Sequence, residues 1–299
     1  MKSISLDTLV DVAKKGTKRR LVIMHGMDHH TLNAAYVAQQ NGVCDVLLTG
    51  SQDKIEEICK EEGYDLKAFT IYNTTSLEES IAKSVVLLKE KEADFVMKGS
   101  LTTDQYMRAI LAKDAELFNR GSVLSHVCAI SIPSFDRLLI ASDVAIIPQP
   151  TIEHKIQMVN YQKEIFQRIG IENPCIGIIT PSEVVSKKVI SSTDAVEVKK
   201  HFEEAKDVIV EGPISLDLAL DMEAVEEKGY KSRAGGKCNG LVFANLESGN
   251  VFYKSATKLM GADTAAIVMG ANIPVVLTSR GDSVQCKINS IALGAILSN

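Results

Sequence analysis

Short runs of β-branched and apolar residues alternate with longer amphipathic stretches along almost the whole chain, and this alternation limits the possible folds. The first runs predict strands at 20–25 and 43–49, with helices at 32–40 and 53–62. Repeated strand–helix units with apolar strands are typical of a mainly parallel sheet with helices on both faces. The pattern continues with a strand at 68–72, a helix at 76–91 and a strand at 94–98. The sequence therefore predicts an α/β fold.

The alternation changes between residues 122 and 147 and resumes after a helix predicted at 151–169. The changed stretch contains three strand-like pieces with little room for helices, so its neighbouring strands should be antiparallel or should cross between lobes. Later elements are strands at 175–180, 207–211, 240–244 and 274–278 and a final helix at 283–297. We expect two α/β lobes, and ligands usually bind in the cleft of such folds. The three strand-like pieces are 123–132, 137–141 and 144–147. The expected first lobe is residues 1–130 with 278–299, because the final helix should pack back onto it, and the expected second lobe is residues 131–277.

Charge and composition exclude several classes of partner. A net charge of −5 argues against general nucleic-acid binding, which needs an excess of lysine and arginine, and the absence of tryptophan argues against base stacking. The six cysteines form no C-x-x-C pair, so we interpret them as buried thiols in a reducing compartment. No signal peptide and no apolar run of about 20 residues is visible, so we expect a cytoplasmic protein with no membrane partner.

The strongest local feature is the segment 274–283, Pro-Val-Val-Leu-Thr-Ser-Arg-Gly-Asp-Ser. A buried strand runs directly into a helix, which would place Ser279, Arg280 and the first helical N–H groups at the carboxyl edge of the sheet. A guanidinium, a helix dipole and free N–H groups together make an anion site. The alternative is that Ser279 or Asp282 only caps the helix and Arg280 is solvated.

Two further segments could hold substrate. In 97–104, Lys98 ends a strand, Thr102 and Thr103 open a helix, and Arg108 follows one turn later; this could bind phosphate or could be a helix cap with a surface lysine. It lacks the order of a Walker loop. In 241–254, two asparagines flank a predicted turn, which could be only a conformational device; the candidates there are Asn245, Asn250, Tyr253 and Lys254.

Three histidines, His25, His29 and His30, do not make a metal site. The segment leaves a strand, and its spacing nominates no third ligand. We expect no metal, and no Ser–His–Asp order can be defended.

Taken together, these motifs resemble the phosphate acetyl/butyryl transferase family, and its butyryl branch more closely. The resemblance covers roughly residue 94 to the C-terminus, with several motifs in the family's order. They are Lys98-Gly99 with Thr103, Asp104, Arg108 and Ala109; Ser142-Asp143 to Pro150-Thr151; 211–219; Asn245 to Asn250 with Tyr253-Lys254; and 279–283 followed by Ser290 to Leu293.

The resemblance implies a two-lobed fold similar to the isocitrate and isopropylmalate dehydrogenases, an active site between the lobes, and a homo-oligomer, dimer or higher. It implies a transferase of butanoate metabolism that converts acyl-CoA and inorganic phosphate to acyl phosphate and coenzyme A. Coenzyme A is then a substrate, and no cofactor is permanently bound. Ser279 and Arg280 align with the Ser-Arg pair that the family uses at its active site, and Asp282 is a further candidate catalytic residue. The candidate substrate-binding residues are Lys98, Thr103, Arg108, Ser125, Asn245, Asn250, Tyr253 and Lys254.

One departure from the acetyl branch concerns the base. That branch carries an aspartate, thought to act as a base, six residues after the arginine, and the position here is Cys286. Asp282 fits the butyryl-type pattern, and whether it replaces that base is open.

Other functions are compatible with parts of the pattern. Acetyl is an alternative acyl group. An oxidoreductase of the same fold would need a nicotinamide site and usually a divalent metal, and the sequence has no convincing G-x-G-x-x-G. A sensor that binds acyl phosphate or coenzyme A without turnover would keep the fold and the anion sites.

Overall fold

A computed structural model describes residues 5–119, 121–279 and 281–298. The chain divides into two compact units. The first unit is formed by Leu6–Ser122 and Thr264–Asn299, and the second by Val123–Asp263. The sequence-based division, after residues 130 and 277, falls later in the chain at both points. The division into two lobes with the expected bounds therefore stays a prediction.

The first unit is a mainly parallel sheet in the order β3-β2-β1-β4-β11-β10. Every pairing along it is parallel except that of β10 with β11. Its strands are β1 (Arg19–Met24), β2 (Cys44–Gly50), β3 (Phe69–Asn73), β4 (Phe95–Lys98), β10 (Asp263–Met269) and β11 (Val275–Val276). Its helices are α1 (Leu6–Lys15), α2 (His29–Gln40), α3 (Gln52–Glu62), α4 (Leu77–Lys89), α5 (Thr103–Leu111) and α11 (Val284–Leu297), with short 3₁₀ turns at Leu66–Ala68 and Lys113–Ala115.

The register of the central strands brings three strand ends to one edge of this sheet. Met24 pairs with Lys98 at the end of β1 and β4, and Val276 pairs with Met97. The segments that follow β1, β4 and β11 therefore leave the sheet side by side. The closing helix α11 packs against α1 and α2, which confirms the expected return of the final helix to the first part of the chain.

The second unit is a sheet in the order β5-β6-β9-β7-β8, in which only the pairing of β5 with β6 is antiparallel. Its strands are β5 (Ser125–Ser131), β6 (Leu139–Ser142), β7 (Cys175–Ile179), β8 (Ile209–Ile214) and β9 (Gly240–Val242). Its helices are α6 (Ile152–Arg168), α7 (Ile190–His201), α8 (Leu216–Leu220), α9 (Met222–Glu227) and α10 (Leu246–Leu259). The predicted α/β class with mainly parallel strands is confirmed.

Two local predictions in the second unit were wrong. Residues 144–147 are not a strand, because the Asp143 carboxylate accepts the N–H groups of Ala145 (2.8 Å) and Ile146 (2.6 Å) and bends the chain. The expected turn at 245–254 is the start of α10, because Asn245 and Ser248 form a reciprocal capping box there. In both places a short polar side chain bonds to nearby backbone, which apolar patterning does not register.

Within the described ranges, every helix is too short or too polar to cross a lipid bilayer.

Candidate functional site

The end of β4 is positioned by a glycine. A Cβ on Gly99 would overlap the carbonyl groups of Met24 and His25 at the end of β1, so only glycine allows this approach. The N–H groups of Gly99 and Ser100 donate to those same two carbonyls, at 3.0 and 2.8 Å. The turn after β4 is thereby fixed against the turn after β1.

Lys98, at this strand end, is a buried lysine and not a surface one. Its Nζ donates to the carbonyl oxygens of Gly99 (3.3 Å) and Leu101 (3.1 Å). Ser100 next to it donates its hydroxyl to the Asp28 carboxylate at 3.3 Å, and Asp28 also caps α2 through the N–H of Thr31.

The segment after β11 forms a short loop before α11. The Asp282 carboxylate accepts the N–H of Ser279 at 2.6 Å, and Ser283 caps α11 by accepting the N–H of Cys286 at 3.0 Å. The helix cap is therefore Ser283, not Ser279 or Asp282, and the Ser279 side chain is exposed. Arg280, the predicted catalytic cation, lies outside the described residues.

A cavity of about 420 Å³ opens at this edge of the first unit. Segments after β1, β4 and β11 contribute to its wall, as does one residue of α11. The lining residues are Met27, Asp28, His30, Thr31, Lys98, Gly99, Ser100, Thr278, Ser279 and Lys287. Two predicted site residues, Lys98 and Ser279, are thus brought together from distant parts of the chain, in a wall that also carries hydroxyl and ammonium groups.

Lys287 is a lining residue that the sequence reasoning missed. It lies in α11, where every residue from Cys286 to Leu297 is buried. Its Nζ donates to the carbonyl oxygens of Ser279 (3.1 Å) and Asp282 (3.2 Å). The available signal was that Lys287 is the only charged residue of α11, since lysine is rarely buried without a reason.

Thr103 and Arg108 lie on α5, after the β4 turn. Thr103 is exposed at the first position of the helix, which Thr102 caps through a box with Gln105, as the sequence predicted for the opening of this helix. The Arg108 side chain is exposed and pairs with Asp104 at 2.9 Å, one helical turn away. Their predicted roles in substrate binding stay predictions.

In the second unit, Asp143 is the centre of a buried polar cluster. Its Oδ2 accepts the Ser125 hydroxyl at 3.0 Å and the His126 N–H at 2.8 Å. Asn250 donates its side-chain N–H to the carbonyl of Val144 at 2.9 Å. Ser125 and Asn250, two of the predicted binding residues, therefore meet around the turn that Asp143 forms.

The other predicted residues of this unit lie in α10 or at its N-terminus. Asn245 is its N-cap and accepts the N–H of Ser248 at 3.0 Å. Tyr253 is half-buried and Lys254 is exposed, two turns further along the helix. Asn245 thus has a structural task, and the tasks of Tyr253 and Lys254 in binding stay predictions.

Two titratable groups near the cavity have shifted pKa values. Burial is the main reason that the pKa of the Cys286 thiol is raised to about 11, with a further contribution from Asp282. Burial, together with Lys54, lowers the pKa of His25, whose Nδ1 lies 2.9 Å from the Ser80 hydroxyl. His29 instead faces Glu61 and Glu62. In the part of the chain that the structure describes, no three His, Cys, Asp or Glu side chains form a metal-binding group.

A cavity at the carboxyl ends of parallel strands, lined by the buried ammonium groups of Lys98 and Lys287, is typical of an α/β enzyme that holds an anionic ligand at this edge of the sheet. The comparisons with known proteins agree with this class. The family model described as phosphate acetyl/butaryl transferase matches residues 74–295. The chain belongs to this family of phosphate acyltransferases.

Full-length relatives carry both names of the family. The chain is 35% identical over 295 residues to a phosphate butyryltransferase of Clostridium acetobutylicum, covering 98% of both chains. It is 32% identical to a phosphate acetyltransferase of Thermotoga maritima, covering 97% of this chain and 99% of that protein. Among solved structures, a branched-chain phosphotransacylase from Enterococcus faecalis superposes with a TM-score of 0.84 at 26% identity, covering 94% of this chain and 99% of that one.

Proposed function

We propose that this protein transfers a short fatty acyl group, butyryl in the first place, between coenzyme A and inorganic phosphate. The observation that carries the proposal is the cavity at the strand ends of the first unit, where Lys98 and Ser279 meet. Full-length similarity to a phosphate butyryltransferase supports the choice of acyl group, and similarity to phosphate acetyltransferases makes acetyl the alternative. Coenzyme A is a substrate in this proposal, together with acyl-CoA, phosphate and acyl phosphate.

In the direction of acyl phosphate synthesis, a phosphate oxygen attacks the thioester carbonyl carbon, the C–S bond breaks, and coenzyme A leaves as a thiolate that takes up a proton. Lys98 and Ser279 hold the phosphate, and Arg280 neutralises the developing oxyanion. Positioned cations of this kind contribute about 3 kcal/mol or more to the transition state. Both substrates are bound together, so no covalent intermediate with the enzyme is needed.

The remaining predicted residues complete the proposal. Thr103, Arg108, Ser125 and Asn250 bind phosphate or the acyl carbonyl, and Asn245, Tyr253 and Lys254 also contact substrate. Asp282 has a weaker claim as the base for the thiol, because its carboxylate already accepts the N–H of Ser279.

The test is release of free thiol from acetyl-, propionyl-, butyryl- and branched acyl-CoA in phosphate buffer. We expect butyryl-CoA to react fastest and no release without phosphate. Arg280→Ala should lower turnover at least about a hundredfold, the effect of losing one oxyanion-stabilising group, while the protein stays folded. Arg168→Ala, at an exposed arginine of α6, should leave turnover unchanged. Binding of coenzyme A without thiol release would indicate a sensor, and a thermal shift with NAD instead of coenzyme A an oxidoreductase.

We also propose a cytoplasmic homo-oligomer. The six cysteines are free and buried, as expected in a reducing compartment. Large apolar side chains are exposed along α10, with Val251 at 63% and Leu259 at 82%, and such surfaces often pack against another copy. Light scattering behind a sizing column measures the mass, and a monomer at micromolar concentration contradicts the proposal.

A further inference from the structure

Lys287 is buried at a place where its charge needs a partner. Its relative exposure is 3%, and it is the only charged residue of α11. Removing an ammonium group from water is unfavourable unless other groups compensate the charge. The nature of its partners therefore indicates what the site is built for.

Another buried lysine of this protein has its positive charge compensated by a carboxylate. Lys155, in α6, has a relative exposure of 2%, and its Nζ contacts the Asp194 carboxylate at 2.6 Å. The acceptors of Lys287 in the described part of the chain are the neutral carbonyl oxygens of Ser279 and Asp282. These carbonyls hold the ammonium in place and engage two of its three N–H donors, but they leave its positive charge unneutralised.

Lys287 lines a cavity that a ligand can enter. Lys287 lines the same cavity of about 420 Å³ as Lys98, which is also buried, and as the hydroxyl-bearing residues Ser100 and Ser279. The cavity also holds one carboxylate, that of Asp28, which accepts the Ser100 hydroxyl and the Thr31 N–H. The two ammonium groups exceed this single negative charge, so the cavity suits an oxyanion, whose oxygens each accept several hydrogen bonds.

From this geometry we infer that Lys287 is a phosphate-binding residue, whose ammonium contacts the phosphoryl group opposite Lys98. The inference deepens the proposed function and rests on it for the identity of the anion. Lys287 supplies positive charge to phosphate and to the phosphoryl end of acyl phosphate. Its bonds to the carbonyls of Ser279 and Asp282 keep the charge beside the loop that carries Arg280.

The experiment measures binding of inorganic phosphate by titration calorimetry in the absence of coenzyme A. Lys287→Met removes the charge and all three N–H donors, and Lys287→Gln removes the charge but keeps an N–H group that can donate to a loop carbonyl. Loss of a charged hydrogen bond should raise the Kd for phosphate about ten- to a hundredfold in both variants. Lys60→Met, at an exposed lysine of α3, is the control and should bind like the wild type.

Kinetics separates charge from loop position. We expect both variants to raise the KM for phosphate more than the KM for acyl-CoA. A phosphate Kd within about threefold of the wild type in the glutamine variant would show that Lys287 only holds the loop, and the inference would fail. If neither variant folds, a wild-type crystal soaked with phosphate decides: an oxygen within about 3 Å of Lys287 Nζ supports the inference, and an ion bound elsewhere overturns it.

The two hypotheses fail in different ways. If the wild type releases no thiol from any acyl-CoA but the variants bind phosphate more weakly, the proposed function fails and the phosphate site remains. Active wild-type enzyme with unchanged phosphate affinity in both variants would remove only the role of Lys287.

Discussion

The sequence resemblance predicts that Cys286 stands where the acetyl branch of the family carries an aspartate, and the surroundings of Cys286 keep it a neutral thiol. It is buried, its Sγ lies 3.1 Å from the Thr264 hydroxyl, and its pKa is raised to about 11. A thiol with this pKa is protonated at neutral pH and cannot accept a proton from coenzyme A. The Cys286 side chain is therefore not available as a general base.

Replacing Cys286 tests this interpretation. We expect Cys286→Ala to keep kcat for acyl transfer within about threefold of the wild type, while the free energy of unfolding falls by about 1 kcal/mol through lost packing. Initial rates and urea denaturation measure the two effects. A hundredfold loss of kcat in a folded variant would show that the thiol takes part in the chemistry.

His25 makes a pH-dependent contribution to stability. Its pKa in the folded state is lowered by burial and by Lys54, below the ordinary value of 6.5. Because the unfolded chain then binds the proton more tightly, the folded state loses stability as the pH falls below that ordinary value. Above it, both states carry a neutral imidazole and the contribution vanishes.

His25→Asn should reduce this pH dependence. Asparagine tolerates the positive φ of 57° at this position, so the backbone at the end of β1 can be kept. Urea unfolding between pH 5 and 7.5 should show a smaller loss of stability at the acid end in the variant than in the wild type. His201→Asn, at an exposed histidine of α7, is the control. Equal slopes in all three proteins would contradict the role of His25.

At the scale of elements, α10 can pack closely against the Asp143 turn because Gly249 has no side chain. A Cβ on Gly249 would overlap the Asp143 carbonyl oxygen, so the helix approaches the turn as closely as a bare backbone allows. The same contact brings Asn250 within hydrogen-bonding distance of Val144.

Gly249→Ala should separate these two elements. Because the contact is with backbone, the overlap cannot be relieved by a rotamer change, and we expect a loss of about 2 kcal/mol or more in the free energy of unfolding. Acyl transfer should fall as well if Ser125 and Asn250 bind substrate. Lys258→Ala, at an exposed lysine of the same helix, should change stability by less than about 0.5 kcal/mol. Comparable melting curves for the two variants would count against this close contact.

The sequence predicted well those elements in which the pattern of apolar residues is clear over the whole element. The strands at 20–25 and 94–98 and the final helix at 283–297 agree with the structure to within about two residues. The errors at 144–147 and 245–254 arise where Asp143 and Asn245 bond to nearby backbone. Such local bonds depend on side-chain geometry, which hydrophobic periodicity does not record.

On the scale of the whole molecule, part of the candidate site was readable in advance because strand ends of a parallel sheet converge. The sequence placed Lys98 and Ser279 separately at strand ends, and the structure shows that both line one cavity although they are distant in sequence. The convergence of strand ends could not predict Lys287, because the acceptors of that lysine are carbonyl groups whose direction is set by a loop. It also could not define the units, because β10 and β11 extend the first sheet after the chain has left the second.

The first unit is assembled from two separated stretches of chain, and this has a consequence for biosynthesis. Lys98 is translated long before Ser279 and Lys287, with all of residues 123–263 made in between. The intervening unit is continuous and can collect its contacts in the order of translation, whereas the first unit must wait for β11 and α11. A nascent chain that has not yet reached residue 264 lacks α11, which packs against β1 and α2, so apolar residues of these two elements stay open to solvent until α11 is made.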